Sequence, residues 1–241
     1  MGFHGRGDFG ERLGGYLGDM KQLLIRRSGP CIGAVTAFLW ACSTVAQVNS
    51  KGTFQVSLGP AFGGHATEFE WTYRIGALAL QDRSSDGAVT VSWPLELQGG
   101  LSNRFSLGVI LEPGQYIDSA GTHPNGFFTA SLSPRYYLVN KDRFGLFLNA
   151  DLGFGVLRIG EVRSGTKQYD DVYAGGHFRF GTQAQYYFGS TFGIHLGLKY
   201  AAHNLRWRDR DPEDPLLASG DYEATLRTSG VLVQMGVQLK F

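Results

Sequence analysis

The sequence predicts an all-β fold, an antiparallel up-and-down β-barrel that crosses a membrane. Three observations predict it. Apolar and polar residues alternate with period two along most of the chain after residue 50, as in strands with one apolar face. Short polar turns alternate with long polar connections, as in barrels whose hairpins face two different compartments. No apolar stretch of helical period and useful length follows residue 50.

Residues 20–46 have the pattern of a cleaved signal peptide. A basic segment with Lys21, Arg26 and Arg27 precedes a short apolar segment, and small residues lead to Ala46. The apolar segment is shorter than the roughly 20 residues that a membrane-spanning helix needs. We therefore expect export and cleavage after Ala46.

The mature barrel domain is then residues 47–241, and the glycine-rich residues 1–19 are predicted to be a mis-called extension before a true start at Met20. Both cysteines, Cys31 and Cys42, leave with the signal peptide. The mature chain therefore has no disulfide, thiolate nucleophile or cysteine metal ligand. The formal net charge of +1 gives no reason to expect a nucleic-acid partner, and no motif calls for a cofactor.

Eight alternating segments are the predicted strands: 53–62, 88–98, 105–112, 127–139, 144–156, 175–188, 192–200 and 222–241. Short turns are predicted at 100–104, 140–143 and 189–191, and long polar external connections at 63–86, 112–126, 158–174 and 204–221. Residues 67–80 alternate as well, but one extra strand would give an odd count, whereas single-chain bacterial barrels have an even count. We therefore predict eight strands, with 67–80 as a hairpin in the first external connection, and ten strands as the alternative.

The same alternation would suit a soluble barrel with an apolar interior. Two features favour a membrane instead. The polar face carries five charged residues, which an apolar cavity would not tolerate: Glu96, Arg135, Asp151, Arg179 and Lys199. The apolar face has aromatic residues near both strand ends, at Phe105, Tyr136, Phe144, Tyr186, Phe192 and Phe241 on the turn side and at Phe62, Phe128, Phe154, Phe178 and Tyr200 on the loop side.

The last strand ends at the chain terminus with alternating apolar residues, namely Val233, Met235, Val237, Leu239 and Phe241. This ending resembles the C-terminal signature of bacterial outer-membrane β-barrel proteins, and the mature chain resembles in architecture the small OmpA/OmpX-like and opacity-type barrels. The resemblance implies the outer membrane of a Gram-negative bacterium, contact with its lipid, and recognition of Val237, Leu239 and Phe241 by the barrel-assembly machinery.

The interior of an eight-stranded barrel is just wide enough for side chains to fill it. Arg135 and Asp151 are expected near-diagonal on one hairpin, within a network of paired buried charges. The favoured function is therefore a structural or surface-interaction barrel with a mostly filled polar interior. A narrow porin-like channel for ions or small solutes is the alternative, because inward glycines such as Gly153 leave room for water.

Two further hypotheses concern the histidines. His177 and His203 are expected to face each other near the outer mouth, where they could hold a metal with Asp170 or Asp171, but two solvated rim histidines are favoured and no metal site is predicted. A lipopolysaccharide-modifying enzyme is the third functional hypothesis. The deacylase-like barrels use a His-x-Ser pair, which neither His195 nor His203 begins, so no enzyme is predicted.

The last external connection contains Arg206, Trp207 and Arg208, and arginine and tryptophan are enriched at binding hot spots. If this loop binds a ligand, lipopolysaccharide phosphates or the surface of a host or neighbouring cell are the expected partners. A solvated loop with internal salt bridges is the simpler interpretation.

Overall fold

A computed structural model describes residues 47–119, 124–164, 167–211 and 220–241, without the side chains of 161–168 and 210–211. The predicted extension and signal peptide lie outside these residues. The described residues form ten strand segments: β1 (Phe54–Leu58), β2 (Ala61–Ile75), β3 (Leu78–Ser92), β4 (Leu95–Gly100), β5 (Phe105–Asp118), β6 (Asn125–Asn140), β7 (Phe144–Ser164), β8 (Lys167–Tyr187), β9 (Phe192–Asp211) and β10 (Asp221–Lys240). No helix among the described residues is long and apolar enough to cross a membrane.

The strands form one closed antiparallel ring. β4 to β10 follow one another around it, and β10 pairs back onto both β1 and β2. β1 and β2 run end to end along β10, interrupted at Gly59 and Pro60, and β3 and β4 run end to end along β5, interrupted at Trp93 and Pro94. Proline has no N–H to donate to a ladder, which explains both interruptions. The ten segments thus occupy eight positions around the ring.

The external hairpin predicted around residues 67–80 is present. β2 and β3 pair without interruption from Ala61 opposite Ser92 to Ile75 opposite Leu78, and Gly76 makes the turn at φ 58°. Its left-handed backbone conformation is the one that glycine adopts without strain.

The prediction of long polar loops is wrong for much of their length. β7 and β8 stay paired as far as Ser164 opposite Lys167, and β8 and β9 as far as Asp170 opposite Asp211. Backbone amides and carbonyls continue to find partners in the ladder outside the membrane. The alternation fades there because polar residues then occupy both faces.

The barrel is apolar outside and charged inside. The aromatic residues predicted near the two strand ends form two belts, one on the turn side and one on the loop side. All of them except the half-buried Phe241 are exposed, from 38% for Phe105 to 51% for Phe154. Phe144 and Phe154 mark the two belts on β7, and the segment between them is about 33 Å long. A strand tilt near 40° reduces this to a height of about 25 Å, the height of the lipid-facing band of outer-membrane barrels.

Close approach of β6 and β7 requires glycine at position 153. A Cβ there would meet the carbonyl oxygen of Ala130 and the Cα of Ser131, both backbone atoms of the neighbouring strand. We expect Gly153→Ala to lower the free energy of unfolding by roughly 1–3 kcal/mol. The control is Gly64→Ala, because the added Cβ has no atom within 4 Å. Urea unfolding in detergent micelles measures both, and equal stabilities would contradict the close-approach argument.

Candidate functional site

The barrel interior is divided into layers, and β9 gives their order. From the turn side outward, its inward-facing side chains include His195, Lys199, His203, Leu205 and Trp207. An imidazole, a charged group, a second imidazole, an apolar side chain and an aromatic ring therefore succeed one another along the barrel axis.

The turn-side end is closed by an apolar cluster, in which Val48 packs with Tyr137, Phe147 and Tyr187. Val48 precedes β1, and its side chain enters the barrel from the turn side. Its amide donates to the carbonyl of Lys141 at 3.1 Å, which ties this segment to the β6–β7 turn. We call Val48 and these three aromatic residues the inner apolar layer, which blocks the turn-side end of the barrel.

A charged layer lies above it, with Glu96 at its centre. The Glu96 carboxylate pairs with Arg135, and its Oε1 lies 3.5 Å from Nζ of Lys199. Ser57 donates to it at 3.0 Å and the amide of Gln234 at 2.9 Å. With four donors around it, this fully buried carboxylate has the partners that a charge without water needs.

Asp151 is the second anion of this layer. Nζ of Lys199 lies 3.0 Å from its Oδ2, so that the lysine bridges Asp151 and Glu96. Oδ1 of Asp151 accepts from Ser133 at 2.6 Å and from the side-chain amide of Asn149 at 3.1 Å.

Arg179 and Glu112 form the third part of the network. Their guanidinium and carboxylate groups are paired, Ser92 donates to Glu112 at 2.5 Å, and Arg179 donates to Thr129 at 3.2 Å. Glu112 was missing from the predicted interior residues because it stood at the assumed end of a strand. Glu112 is two residues from the inward-facing Ile110 and so has the same parity, which was the signal that could have placed it inside.

The structure thus places all five predicted interior charges inside, each at most 2% exposed, and adds Glu112. Three cations face three anions, and the network is neutral. The expected pairing differs, however. Arg135 is near-diagonal to Asp151, opposite Asn149, but its ion pair reaches past β5 to Glu96 on β4. Register fixes only the neighbours on adjacent strands, whereas a long guanidinium side chain can reach beyond the adjacent strand.

His177 and His203 are opposite each other in the β8–β9 ladder, as expected, with ring centroids 5.4 Å apart. His65 joins them, 6.1 Å from His203. All three are buried, at 5–7% exposure, so the expectation of solvated rim histidines is wrong. The residues that the structure describes contain no group of three or more His, Cys, Asp or Glu side chains placed to hold a metal.

An outer apolar layer closes the barrel above the histidines. Its buried members are Ala88, Tyr116, Phe127, Leu157, Tyr173, Leu205, Ala224 and Leu226. Leu157 and Leu205 are at most 1% exposed. The network is therefore enclosed between two apolar layers.

The three residues predicted as loop contacts lie on β9 and do not form one patch. Trp207 faces inward, with its ring edge-on to Tyr222 at 5.1 Å, whereas Arg206 and Arg208 face outward and are exposed. Successive side chains of a strand point to opposite faces, so Trp207 is separated from the two arginines beside it. The β9–β10 ladder ends where Arg206 is opposite Thr225, which leaves a cleft of about 350 Å³ that also includes Arg227.

The C-terminal residues complete the ring. Phe241 and Phe54 exchange two backbone hydrogen bonds of 2.8 and 3.0 Å. Val237 is exposed on the lipid side, and Leu239 has the same orientation. Their recognition by the assembly machinery stays a prediction.

Removing one partner from the network should be strongly destabilising. Arg135→Met leaves Glu96 with Lys199 as its remaining cation, and we expect a loss of about 3–5 kcal/mol in the free energy of unfolding. Adding Glu96→Gln should restore part of that loss, because no anion is then left without its main partner. Urea unfolding of the single and double variants gives the coupling.

The control is Arg83→Met on the external hairpin, where the ion pair with Glu68 is exposed on the arginine side. We expect a negligible loss there, because exposed pairs are screened by water. If the double variant is no more stable than Arg135→Met, the pairing with Glu96 is not what makes Arg135 important.

Neither a protein-family model nor a curated protein sequence matches this chain. Among solved structures, the outer membrane protein OprG from Pseudomonas aeruginosa aligns with 80% of this chain and 97% of its own at 8% identity and a TM-score of 0.43. Ail, the attachment invasion locus protein of Yersinia pestis, aligns with 79% and 99% at 11% identity and a TM-score of 0.41. The outer membrane protein AlkL aligns with 84% and 95% at 12% identity and a TM-score of 0.46.

The fold assignment rests on the chain's own geometry: a closed antiparallel ring, an apolar outer belt between two rows of aromatic residues, and neutralised charges inside. Soluble barrels have the opposite polarity, with the apolar face inside. The protein is a small β-barrel of the outer-membrane type.

Proposed function

We propose that this protein is a closed barrel of structural or surface-interaction type, whose interior conducts neither ions nor solutes. The observation that carries the proposal is the enclosure of a neutral six-charge network between two apolar layers. Phe147 and Tyr187 in the inner layer have no exposed surface, nor does Leu157 in the outer one. An ion would lose its hydration at each layer, and apolar constrictions of this kind block conduction by excluding water.

The proposal gives the barrel no catalytic role. Of the histidines weighed for lipid chemistry, His195 lies inside, 4% exposed, with its ring nitrogen 3.4 Å from the amide of Gln234. His203 is enclosed by His177 and the ring of Phe127. Neither faces lipid.

Single-channel recording in a planar bilayer tests the closed interior. We expect no discrete conductance steps from the folded, inserted protein. Shortening one residue in each apolar layer, by Phe147→Ala with Leu205→Ala, should produce small steps, because both layers then lose a fully buried side chain.

The control for that recording is the lipid-facing pair Phe144→Ala with Leu198→Ala, which leaves both layers intact and should remain silent. Reproducible steps from the unmodified protein would contradict the proposal and favour the narrow channel.

We further propose that the external wall contacts phosphate groups of lipopolysaccharide. Arg206, Arg208 and Arg227 are exposed on the outer face of β9 and β10. Arg206 lies six residues beyond Tyr200 of the loop-side belt, about 20 Å along the strand and about 15 Å above the belt after tilt. This is above the acyl chains, at the height of polar headgroups. Guanidinium groups bind phosphate in bidentate geometry.

The acidic neighbours do not remove this positive charge. Glu68 is opposite Arg227, but its carboxylate pairs with Arg83 on the other side. Glu223 also borders the cleft, which leaves three arginines and one glutamate among its charged lining residues.

Replacing Arg206, Arg208 and Arg227 together by glutamine should weaken this contact. The melting temperature of the unmodified barrel should rise on transfer from phospholipid vesicles to vesicles containing lipopolysaccharide. We expect a smaller rise for the triple variant. Arg104→Gln on the turn side is the matched control and should leave that rise unchanged. The same rise in the triple variant and the unmodified protein would contradict the proposal.

A further inference from the structure

The external mouth of the barrel contains a cavity that the closed interior does not explain. It has a volume of about 530 Å³ and lies above the outer apolar layer. Its aromatic lining comes from four strands: Phe69, Trp71, Tyr73, Tyr116, Tyr173 and Tyr222. We call this cavity the outer cup. Its size is within the usual range of small-molecule sites.

Buried side chains close the floor of the outer cup. Tyr116 and Tyr173 belong to the buried outer layer, and Leu226 closes the cup beside them. Thr67 bonds to the hydroxyl of Tyr116 at 2.8 Å, which fixes that ring. Phe69 meets Tyr173 edge-on at 6.3 Å. A ligand would therefore enter from outside and leave by the same way.

Phe69, Trp71, Tyr73 and Tyr222 are only half-buried in the walls of the cup. Part of each ring is therefore accessible from the cavity. The faces of aromatic rings carry partial negative charge and attract cations.

The charged residues that line the outer cup are all acidic. Among the described lining residues they are Asp86, Asp118 and Asp171, and the lining includes no described arginine or lysine. Asp171 is buried and already has an interaction of its own. Asp86 accepts hydrogen bonds from the hydroxyl of Ser119 and from the amide of Gly87, which hold the pKa of its carboxyl below the usual value. It is therefore a carboxylate at neutral pH.

Asp118 is incompletely satisfied. Its Oδ1 is buried and has no hydrogen-bond partner among the residues that the structure describes. A buried carboxylate oxygen without a partner is unfavourable, and a cation in the cup would relieve it.

These features select one ligand chemistry. Anions are repelled by the carboxylates of Asp86 and Asp118. A neutral apolar molecule would bury those carboxylates without compensating them. A small inorganic cation would exchange its hydration shell for aromatic rings, which hold water-loving ions poorly. A cation with apolar substituents suits both the rings and the carboxylates, as in the aromatic cages that bind quaternary ammonium groups.

We propose that the outer cup binds a small organic cation, such as a quaternary ammonium compound or a protonated amine with apolar substituents. This inference goes beyond the closed-barrel proposal and does not depend on it, because the cup lies outside the layer that closes the interior.

The test compares choline with 3,3-dimethylbutan-1-ol, which has carbon in place of the charged nitrogen. Both are titrated into the refolded barrel in detergent micelles at low salt, and binding is followed by calorimetry and by tryptophan fluorescence. We expect choline to bind at least about tenfold more tightly than the alcohol, and its affinity to fall with added sodium chloride.

Two variants locate the site. Trp71→Leu keeps an apolar side chain but removes the ring face, and should weaken choline binding about five- to thirtyfold. Asp118→Asn keeps the shape and removes one charge, and should reduce the preference for choline over the alcohol. The matched control is Trp93→Leu, since Trp93 is exposed on the lipid side of the β3–β4 interruption and should leave binding unchanged.

Equal affinity for choline and the alcohol would overturn the proposal in favour of an apolar-ligand site. So would choline binding that Trp71→Leu and Asp118→Asn both leave intact, or no choline binding by a protein shown to be folded. If Trp71→Leu does not fold, Asp118→Asn decides alone. Conductance is a separate measurement, so failure here leaves the closed-barrel proposal standing.

Discussion

Closure of the backbone ladder is the constraint on which the rest of this structure depends. Lipid offers no hydrogen-bond partner to an amide or a carbonyl, so an open sheet edge cannot exist at membrane depth. The ring is completed where β10 pairs with β1 and β2 and where Phe241 bonds to Phe54. Pro60 and Pro94 interrupt two strands, but Met235 donates to the carbonyl of Pro60 and Trp93 to that of Pro113, so the wall stays continuous.

A closed ring of this size forces the inward side chains into one another. Without room for bulk water, the interior charges must neutralise each other, and Lys199 does so for two carboxylates at once. The apolar layers above and below keep water from the network, and low polarity in turn strengthens its ion pairs. The same packing that stabilises the barrel is what argues against a channel.

Beyond the membrane the wall continues, and its two faces acquire different chemistry. The outward face of β9 and β10 carries exposed arginines, whereas the inward face carries aromatic rings and carboxylates. Trp207 and its arginine neighbours show how a single strand directs side chains to both faces of the wall. The external part therefore offers a basic wall and an acidic cup, separated by the thickness of one sheet.

The sequence by itself determined the fold class, the two faces of the barrel and the inward orientation of its charges, because period two is a local property of a strand and lipid enforces it strongly. It did not determine which charges pair, that Glu112 joins them, or that three histidines are buried together, since those contacts cross the lumen between residues far apart in the chain. The length of the external strands was also hidden, because polar residues on both faces leave no alternation to detect. The outer cup exists only in the tertiary structure, where ring closure brings aromatic residues of four strands to one place.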